Sequence, residues 1–548
     1  MRLIAQNSHS YTDIQNSFRW KIPASFNIAA AVCDRHVSKA DRVALYWEHQ
    51  DGRKSQYTFG DIRKMANQFA NVLKARGISR GDRVAIVLPQ RIETAVAHLA
   101  AFKIGAISVP LSVLFGGDAI HYRLQDSGAT AVVCGDQHFE LLHNLQEELD
   151  DLKTIISCDG MGSEAFWPLL DRADDECETL KTSPDDPAII IYTSGTTGSP
   201  KGALIAHRCL LGNLTGFELS QEFFPQTDDL FWTPADWAWT GGLIDALLPS
   251  WYYGIPVLGY ESGRFDAEKV CQLIGRYGVR NAFIPPTALK MMRQVPNLRE
   301  RYNLRFRSIM SAGESMGAEL YHWGVEVLGL EINEMWAQSE FNYIVGNCAS
   351  RMPVKPGSMG KAYPGHRVAP INDHGEEVPD GEVGELAAWR NDPVMFLGYW
   401  NRQQATKDKF IGSWWGTGDV GYRDDDGYLW FVGRKDDVIS SAGYRIGPTE
   451  IEDCLLKHPA VLQAAAIGSP DELRGNIVKA FIVLTDGYKP DESLKSEIQD
   501  TVRNNLAAYE YPREIEFLSE LPVTTTGKVR RVELRRLEIE KKANSSEV

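Results

Sequence analysis

The chain has 548 residues, 43% hydrophobic and 24% charged, so it has the composition of an ordinary globular protein and is too long for a single hydrophobic core. Its formal net charge of −15 argues against the broad basic surface that nucleic-acid binding needs, and neither RNA nor DNA is expected as a partner. Eight scattered cysteines without a Cys-x-x-Cys pair indicate buried free thiols rather than disulfides or a metal site.

The N-terminal segment lacks the sustained apolar core of a signal peptide, and no later stretch is long and apolar enough to cross a bilayer. We therefore expect a cytoplasmic protein without a transmembrane segment. Residues 1–80 mix helical and turn signals and carry no recognisable chemistry. The sequence does not determine the oligomeric state, and both a monomer and a homo-oligomer agree with it.

Strands and helices alternate along the next two hundred residues. A strand at 83–88 precedes a helix that opens at Pro89, with Ile92, Val96 and Leu99 on its apolar face. The pattern then continues with a helix at 117–126 and with strands at 107–109, 131–134, 154–156, 188–192, 281–284 and 308–310. This alternation predicts stacked α/β layers built on parallel strands.

From about residue 360 the pattern changes to short strands separated by turn residues, which predicts a small β subdomain. Three aspartates and a glycine at 424–427 form one such turn. They lack the alternate carboxylates and the later glutamate of a calcium loop, so a hairpin turn is the preferred interpretation.

A compact C-terminal segment follows Lys435. Its apolar patterns predict helices at 448–457 and 491–507 and strands at 464–467 and 480–484. We place a domain boundary between Lys435 and Asp436, which gives domains at 1–435 and 436–548.

A polar loop directly follows the buried strand at 188–192. Residues 193–202 contain three glycines, a proline, two serines and three threonines, which favours a loop of exposed NH and OH groups. Lys201 adds a positive charge, so the loop suits a polyphosphate. A surface linker is disfavoured because linkers seldom follow a buried strand directly. The loop is not a Walker A motif, since Pro200 precedes the lysine and Gly202 follows it.

This loop closely resembles the signature of the AMP-forming acyl-CoA synthetases, a family of adenylate-forming enzymes. Further motifs occur in the family's order at 313–315, 333–340, 415–419, 433–437, 443–446 and 521–530. The resemblance implies an α/β fold with a large N-terminal domain, made of two α/β subdomains and a β subdomain, and a small mobile C-terminal α/β domain. It implies ATP and CoA as co-substrates, Mg²⁺ as cofactor and a place in fatty acid metabolism.

The resemblance also assigns individual residues to the ATP and AMP site, which are Thr193, Ser194, Gly195, Thr196, Thr197, Gly198, Lys201, Gly313, Glu314, Ser315, Trp336, Ala337, Gln338, Ser339, Asp419, Arg434, Arg445 and Lys528. Trp336, Ala337 and Ser339 replace the family's usual tyrosine, glycine and threonine. A tryptophan still stacks on a purine, and Glu340 keeps the carboxylate that the resemblance assigns to Mg²⁺.

Three residues are implied to be catalytic: Lys528, Thr193 and Glu340. Acyl adenylation drives a carboxylate into the α-phosphate, so the site must neutralise charge as the pentacoordinate phosphorus forms. The resemblance implies that Lys528 and Mg²⁺ neutralise this charge in the first step. The C-terminal domain then turns about the hinge matched by Asp436 and brings the segment with Gly443 and Tyr444 to the CoA thiol.

The acyl pocket of the resembled family is matched by Trp239, Thr240, Gly241, Ala312 and Ala337. Acetyl-CoA synthetases have a second tryptophan at the position of Ala337. They have bulkier residues at the positions of Thr240, Gly241 and Ala312. All four of these residues are small here, so the resemblance is to medium-chain acyl-CoA synthetases more than to acetyl-CoA synthetase. We expect a medium-length, branched or aromatic acid as substrate.

Two alternative functions remain at this point. The acyl group could be transferred to a free-standing carrier-protein thiol rather than to CoA. A non-catalytic nucleotide or acyl-CoA sensor is a second alternative, but it predicts a damaged catalytic set. The residues of that set are all present: Lys201, Glu340, Asp419, Arg434, Arg445 and Lys528.

Overall fold

The computed structural model describes residues 2–5, 10–160, 165–193, 199–441, 444–471, 475–506, 510–524 and 528–546. The chain divides into two compact units. The first is Met1–Arg367 with Trp389–Phe410, and the second is Val368–Ala388 with Ile411–Val548. The domain boundary at Lys435 and Asp436 stays a prediction.

The described part of the first unit contains the α-helices α1 (Tyr11–Ser17), α2 (Ile28–Val32), α3 (Phe59–Ala75), α4 (Ile92–Lys103), α5 (Gly117–Ser127), α6 (Asp136–Gln146), α7 (Phe166–Arg172), α8 (Cys209–Ser220), α9 (Thr240–Gly242), α10 (Leu248–Tyr252), α11 (Ala267–Tyr277), α12 (Pro286–Arg293), α13 (Leu298–Tyr302), α14 (Gly317–Trp323) and α15 (Gln403–Lys407). A 3₁₀ helix spans Asp34–Lys39, and π-helical turns span Leu243–Leu247 and Gly324–Leu328.

Its strands are β1 (Val43–His49), β2 (Lys54–Thr58), β3 (Arg83–Val87), β4 (Ile107–Pro110), β5 (Ala131–Cys134), β6 (Thr154–Ser157), β7 (Pro187–Thr193), β8 (Lys201–Ala206), β9 (Phe231–Trp232), β10 (Val257–Glu261), β11 (Asn281–Phe283), β12 (Ser308–Ser311), β13 (Asn333–Gln338), β14 (Phe341–Gly346), β15 (Lys361–Ala362) and β18 (Gly398–Tyr399).

Within the described residues these strands form two sheets, in the orders β18-β8-β7-β4-β3-β5-β6 and β15-β14-β13-β12-β11-β9-β10-β1-β2. The central strands of both sheets are parallel, which confirms the predicted α/β layers. These strands read as continuous apolar runs because helices cover both faces of a parallel sheet.

Local sequence determines where the helices begin. Thr58 Oγ1 accepts the Asp61 amide while the Asp61 carboxylate accepts the Thr58 amide, and this capping box starts α3. The helix expected from Pro89 begins later, at Ile92, because the backbone of Arg91 is extended. No sequence pattern predicted β1 and β2, which form one edge of the nine-stranded sheet.

The second unit contains the strands β16 (Val368–Ile371), β17 (Gly384–Trp389), β19 (Phe410–Ile411), β20 (Trp414–Arg423), β21 (Leu429–Arg434), β22 (Ile439–Ser441), β23 (Tyr444–Ile446), β24 (Val461–Asp471), β25 (Gly475–Leu484) and β26 (Glu514–Phe517) and the helices α16 (Pro448–Leu455), α17 (Glu492–Asn505) and α18 (Arg531–Ser546). The hairpin at 424–427 is confirmed, since it joins β20 to β21 and the Gly427 amide donates to the Asp424 carbonyl at 2.8 Å. The predicted C-terminal helices and strands are also present.

Candidate active site

Several loops meet at one edge of the nine-stranded sheet. The strands β9, β11, β12 and β13 are parallel neighbours in that order, and their registers bring their carboxyl ends together. Ligands of open α/β sheets bind at the carboxyl ends of the strands. The predicted residues at 239–241, 312–315 and 336–340 all lie at the ends of these strands or in the loops that follow them, so the fold places the acyl and adenine motifs at the same edge.

The phosphate hairpin is the antiparallel pair of β7 and β8, and its tip is the end of the pair formed by Thr193 and Lys201. Thr193 and Lys201 are directly opposite each other at its tip, and Thr193 Oγ1 donates to the Lys201 carbonyl at 3.3 Å. Helix α5 contacts the hairpin beside its tip, because the Tyr122 hydroxyl donates to the Pro200 carbonyl at 2.8 Å. The predicted phosphate-binding residues Ser194, Gly195, Thr196, Thr197 and Gly198 lie outside the described residues.

Glu340 and Lys201 both contact one aromatic side chain, that of Tyr399. Glu340 is buried in the turn between β13 and β14, and the Tyr399 hydroxyl donates to its Oε1 atom. Lys201 Nζ lies 5.2 Å from the centroid of the same tyrosine ring. The structure therefore brings the phosphate hairpin and the predicted metal ligand together through Tyr399, which the sequence did not identify.

The strand that leads to Glu340 is irregular at Ala337. Trp336 pairs with Val345 and Gln338 with Phe341, so the register shifts at the residue between them. Such irregularities re-aim side chains next to active sites. Ala337 and Ser339 are half-buried, and the Trp336 ring packs against Phe341 with centroids 5.2 Å apart.

The adenine motif follows β12. Gly313 has φ +99°, a conformation that favours glycine, and Glu314 Oε1 accepts a hydrogen bond from Thr287 Oγ1 at 2.7 Å. Ser315 follows in the same loop, and the preceding Ala312 is buried. This loop therefore joins a predicted acyl-pocket residue directly to the predicted adenine contacts.

The acyl motif follows β9. The Trp239 ring meets Phe115 edge to face at 5.7 Å, and Thr240 begins the short helix α9. A Cβ atom on Gly241 would lie 2.3 Å from the Phe283 ring. Phe283 therefore occupies the space beside Gly241, and the acyl-pocket roles of Thr240, Ala312 and Ala337 stay predictions.

The helix after the acyl motif contains a π-helical turn that the sequence did not reveal. Asp245 lies in this turn with 3% of its surface exposed, and Asn342 Nδ2 donates to its carboxyl group. Burial raises the pKa of Asp245 to about 8, and the hydrogen bond from Asn342 offsets part of that rise. Asp245 therefore carries a proton at neutral pH.

We predict that Asp245→Asn will become more stable than the wild type as the pH rises. The folded pKa is raised from its ordinary value, so wild-type stability is lost as the pH rises from about 4 through 8, while an amide has no such dependence. The variant should gain about 4 kcal/mol relative to wild type between pH 5 and 8.5, measured by denaturation. A constant difference would contradict the buried-acid assignment, and Asp171→Asn on the exposed face of α7 is the control.

The second unit holds the predicted ribose residues. Asp419 in β20 faces Arg434 in β21, and Arg434 Nη1 donates to Asp419 Oδ1 at 2.8 Å. The Asp436 carboxylate, at the predicted hinge, lies 3.7 Å from Arg434 Nε. Burial lowers the pKa of Arg434, but the charges of Asp419 and Asp436 outweigh it and raise the pKa overall. The three residues form a connected charged group in which the arginine stays ionised.

The remaining predicted residues follow in the same unit. Lys528 is exposed, and its backbone pairs with Thr524, whose hydroxyl accepts the Lys528 amide at 3.1 Å. Gly443 lies outside the described residues, as do the side chains of Tyr444 and Arg445, whose backbones form β23 opposite β22. The structure thus connects the ribose pair to the hinge residue, while the roles of Lys528 and of residues 443–445 stay predictions.

The loops at the carboxyl edge of the nine-stranded sheet, the phosphate hairpin and the buried carboxylate of Glu340 are the features expected of an enzyme of the adenylate-forming class. The chain belongs to the AMP-binding enzyme family. The AMP-binding enzyme model matches residues 33–400, and the AMP-binding enzyme C-terminal domain model matches residues 450–528.

Known relatives agree with this assignment. The chain is 34% identical to the mitochondrial acyl-coenzyme A synthetase ACSM3 of Rattus norvegicus, over 98% of this chain and 94% of the relative. It is 35% identical to the acetyl-coenzyme A synthetase of Bacillus subtilis (strain 168), over 97% of this chain and 96% of the relative. The solved structure of the anthranilate CoA ligase AuaEII with anthranoyl-AMP matches with a TM-score of 0.86 and 29% identity, covering 94% of this chain and 98% of that chain.

The chain is therefore an AMP-forming acyl-CoA ligase, with a carboxylic acid, ATP and CoA as substrates. This confirms the predicted family, fold and enzyme class. Nearly equal identities to ACSM3 and to an acetyl-CoA synthetase do not decide which acid is used. Within the described ranges, no helix is both long and apolar enough to span a bilayer.

Proposed function

We propose that this ligase acts on a medium-length, branched or aromatic carboxylic acid rather than on acetate. The observation that supports this most is the small size of Thr240, Ala312 and Ala337 at the sheet edge. A wall that lacks an indole leaves room for several more carbons, each stabilised by up to ~0.8 kcal/mol when buried. The structural relative that ligates anthranilate is named for an aromatic acid, which agrees with the aromatic option.

We infer that Glu340 holds Mg²⁺ in the complex with ATP. Its carboxylate is buried, and Tyr399 engages one of the two oxygens, so the other suits a cation that takes one or two carboxylates and completes its shell with phosphates and water. Among the described residues no cluster of three or more potential metal ligands occurs, as fits a cation held mainly by the nucleotide. The ion would neutralise phosphate charge when bound.

The phosphate hairpin and the ribose pair would hold the nucleotide. Thr193 and Lys201 lie at the tip of the hairpin, where a hydroxyl and an ammonium group donate to phosphate oxygens. The ion pair with Arg434 orients Asp419, whose carboxylate would accept hydrogen bonds from the ribose hydroxyls. Gly313, Glu314, Ser315 and Trp336 would border the adenine.

We assign Lys528 to the first half-reaction, in which the carboxylate attacks the α-phosphate and pyrophosphate leaves. Positive charge is needed there because two anions approach each other and charge develops on the phosphoryl oxygens. In the second half-reaction the CoA thiol attacks the acyl-adenylate and AMP leaves. Arg445 would face phosphate. As the family resemblance implies, movement about Asp436 would bring the segment with Gly443 and Tyr444 to CoA.

The experiment that tests the proposal is an acid panel. The purified protein is incubated with ATP, Mg²⁺, CoA and acids from acetate to decanoate plus benzoate, and AMP, pyrophosphate and acyl-CoA are quantified. We expect one AMP and one pyrophosphate per thioester, with a maximum kcat/KM on an acid larger than propionate. A maximum on acetate would contradict the open acyl pocket, and ADP as product would contradict adenylation.

We also propose a cytoplasmic location, a role in fatty acid metabolism and the absence of a nucleic-acid partner. The last is supported by the net charge of −15. Detection of the native protein in a cell fraction other than the cytosol would contradict the first.

A further inference from the structure

Tyr399 contacts two charged side chains of the first unit that are proposed to serve ATP, Glu340 and Lys201. It belongs to β18, which pairs with β8 so that Tyr399 lies opposite Ala203, two residues after Lys201. It is also 59 residues from Glu340 along the chain and in direct contact with it. One short strand therefore reaches both the phosphate hairpin and the proposed metal ligand.

The segment that ends at Tyr399 holds Glu340 by its backbone and by its side chain. The Phe396 amide donates to the Glu340 carbonyl at 2.8 Å, and the Tyr399 hydroxyl donates to the Glu340 carboxylate. Two contacts to one residue restrict both the turn and the carboxylate orientation. Partners of this kind around a metal ligand typically contribute 10- to 100-fold to metal affinity.

Tyr399 is itself firmly placed. Only 8% of its surface is exposed, its amide donates to Thr406 Oγ1 at 2.8 Å, and its ring meets Phe396 edge to face at 5.1 Å. A side chain fixed by packing and hydrogen bonds can orient its neighbour without losing rotamer freedom when a ligand binds. The hydroxyl therefore presents a fixed donor to Glu340.

The ring of Tyr399 contacts the positively charged side chain of Lys201. The Lys201 ammonium lies 5.2 Å from the ring centroid, within the range of a cation–π interaction. The described residues show no ion pair between Lys201 and Glu340. Without the ring, the Lys201 ammonium and the Glu340 carboxylate would attract each other. A direct ion pair between them would make the ammonium unavailable to phosphate and the carboxylate unavailable to the metal.

We propose that Tyr399 is a positioning residue for adenylation. Its hydroxyl directs Glu340 toward the metal, and its ring keeps Lys201 apart from that carboxylate and available to phosphate. This inference rests on the proposed role of Glu340. The hydroxyl and the ring of the tyrosine thus have different roles, and two variants at this position distinguish the two roles.

Tyr399→Phe removes the hydroxyl and keeps the ring. We expect the half-saturating Mg²⁺ concentration to rise about 10-fold, with the lost rate recovered as Mg²⁺ is raised. Tyr399→Leu removes both parts, so it should also raise the KM for ATP. Tyr277→Phe is the matched control, because it removes a tyrosine hydroxyl that donates to Glu48 Oε2 at 2.9 Å in another part of the unit.

The second readout is the rise in melting temperature that ATP produces at each Mg²⁺ concentration, which requires no turnover. The inference predicts that this curve shifts to higher Mg²⁺ in Tyr399→Phe and stays unchanged in Tyr277→Phe. A lower kcat with an unchanged Mg²⁺ dependence would show a merely structural role and overturn the inference. An inactive wild type would instead overturn the proposed function, and the melting curves would then decide the role of Tyr399 alone.

Discussion

Replacing Lys528 with alanine should slow acyl-adenylate formation on the order of 10²- to 10³-fold, the usual cost of removing one preorganised group that stabilises charge in a transition state. The cause is the approach of a carboxylate to an α-phosphate, in which negative charge accumulates on the phosphoryl oxygens. The measurement is single-turnover pyrophosphate release with ATP and acid but without CoA. Because the lysine is exposed, the variant should fold normally.

The second half-reaction provides the internal comparison for this variant. Thioester formation from added acyl-adenylate and CoA should stay within a few fold of wild type, since Lys528 is assigned to adenylation only. Lys457→Ala, which removes another exposed lysine of the second unit, should change neither step. Equal losses in both half-reactions, or no loss in the first, would contradict the assignment.

Ala337→Trp should change the preferred acid. An indole at this half-buried position would fill space proposed for the acyl chain, and each excluded methylene removes up to ~0.8 kcal/mol, or about a factor of 4 in kcat/KM. Losing four methylene contacts should lower kcat/KM for octanoate about 10²-fold relative to acetate or propionate. The measurement is kcat/KM across the acid series for variant and wild type.

A small substitution distinguishes lost space from a disturbed strand. Ala337→Gly keeps the site open and should preserve the ranking of acids, even if the irregular pairing around residue 337 makes all rates lower. An unchanged chain-length profile in Ala337→Trp would show that this side chain does not line the acyl pocket. The small residues at 240 and 312 would then be the remaining determinants.

Features formed by neighbouring residues could be predicted from the sequence. The strand before the phosphate loop is a continuous apolar run, and the turn at 424–427 carries its own glycine, so local rules suffice. The family could be predicted from the order of the motifs, because each motif has a characteristic spacing. The two strands at residues 43–58 could not be predicted, because their pairing with the sheet depends on residues that are distant in the sequence.

The contacts that organise the site depend on distant residues and could not be predicted. Tyr399 meets Glu340 across 59 residues, and nothing in the segment around it differs from an ordinary edge strand. The buried acid at Asp245 is similarly hidden, because the turn that contains it reads as a regular apolar helix. Only the tertiary fold shows that Asn342 is its partner. Physical chemistry identifies such groups once burial is known.

The most direct test of the account is acid-dependent exchange of labelled pyrophosphate into ATP, measured without CoA. This exchange reports the first half-reaction alone and requires an acyl-adenylate. We predict exchange with hexanoate, octanoate or benzoate that exceeds exchange with acetate at least about 10-fold, as expected if two or more methylenes are buried. Exchange that is fastest with acetate, or none with any acid of the panel, would contradict the proposed open acyl pocket and its chemistry.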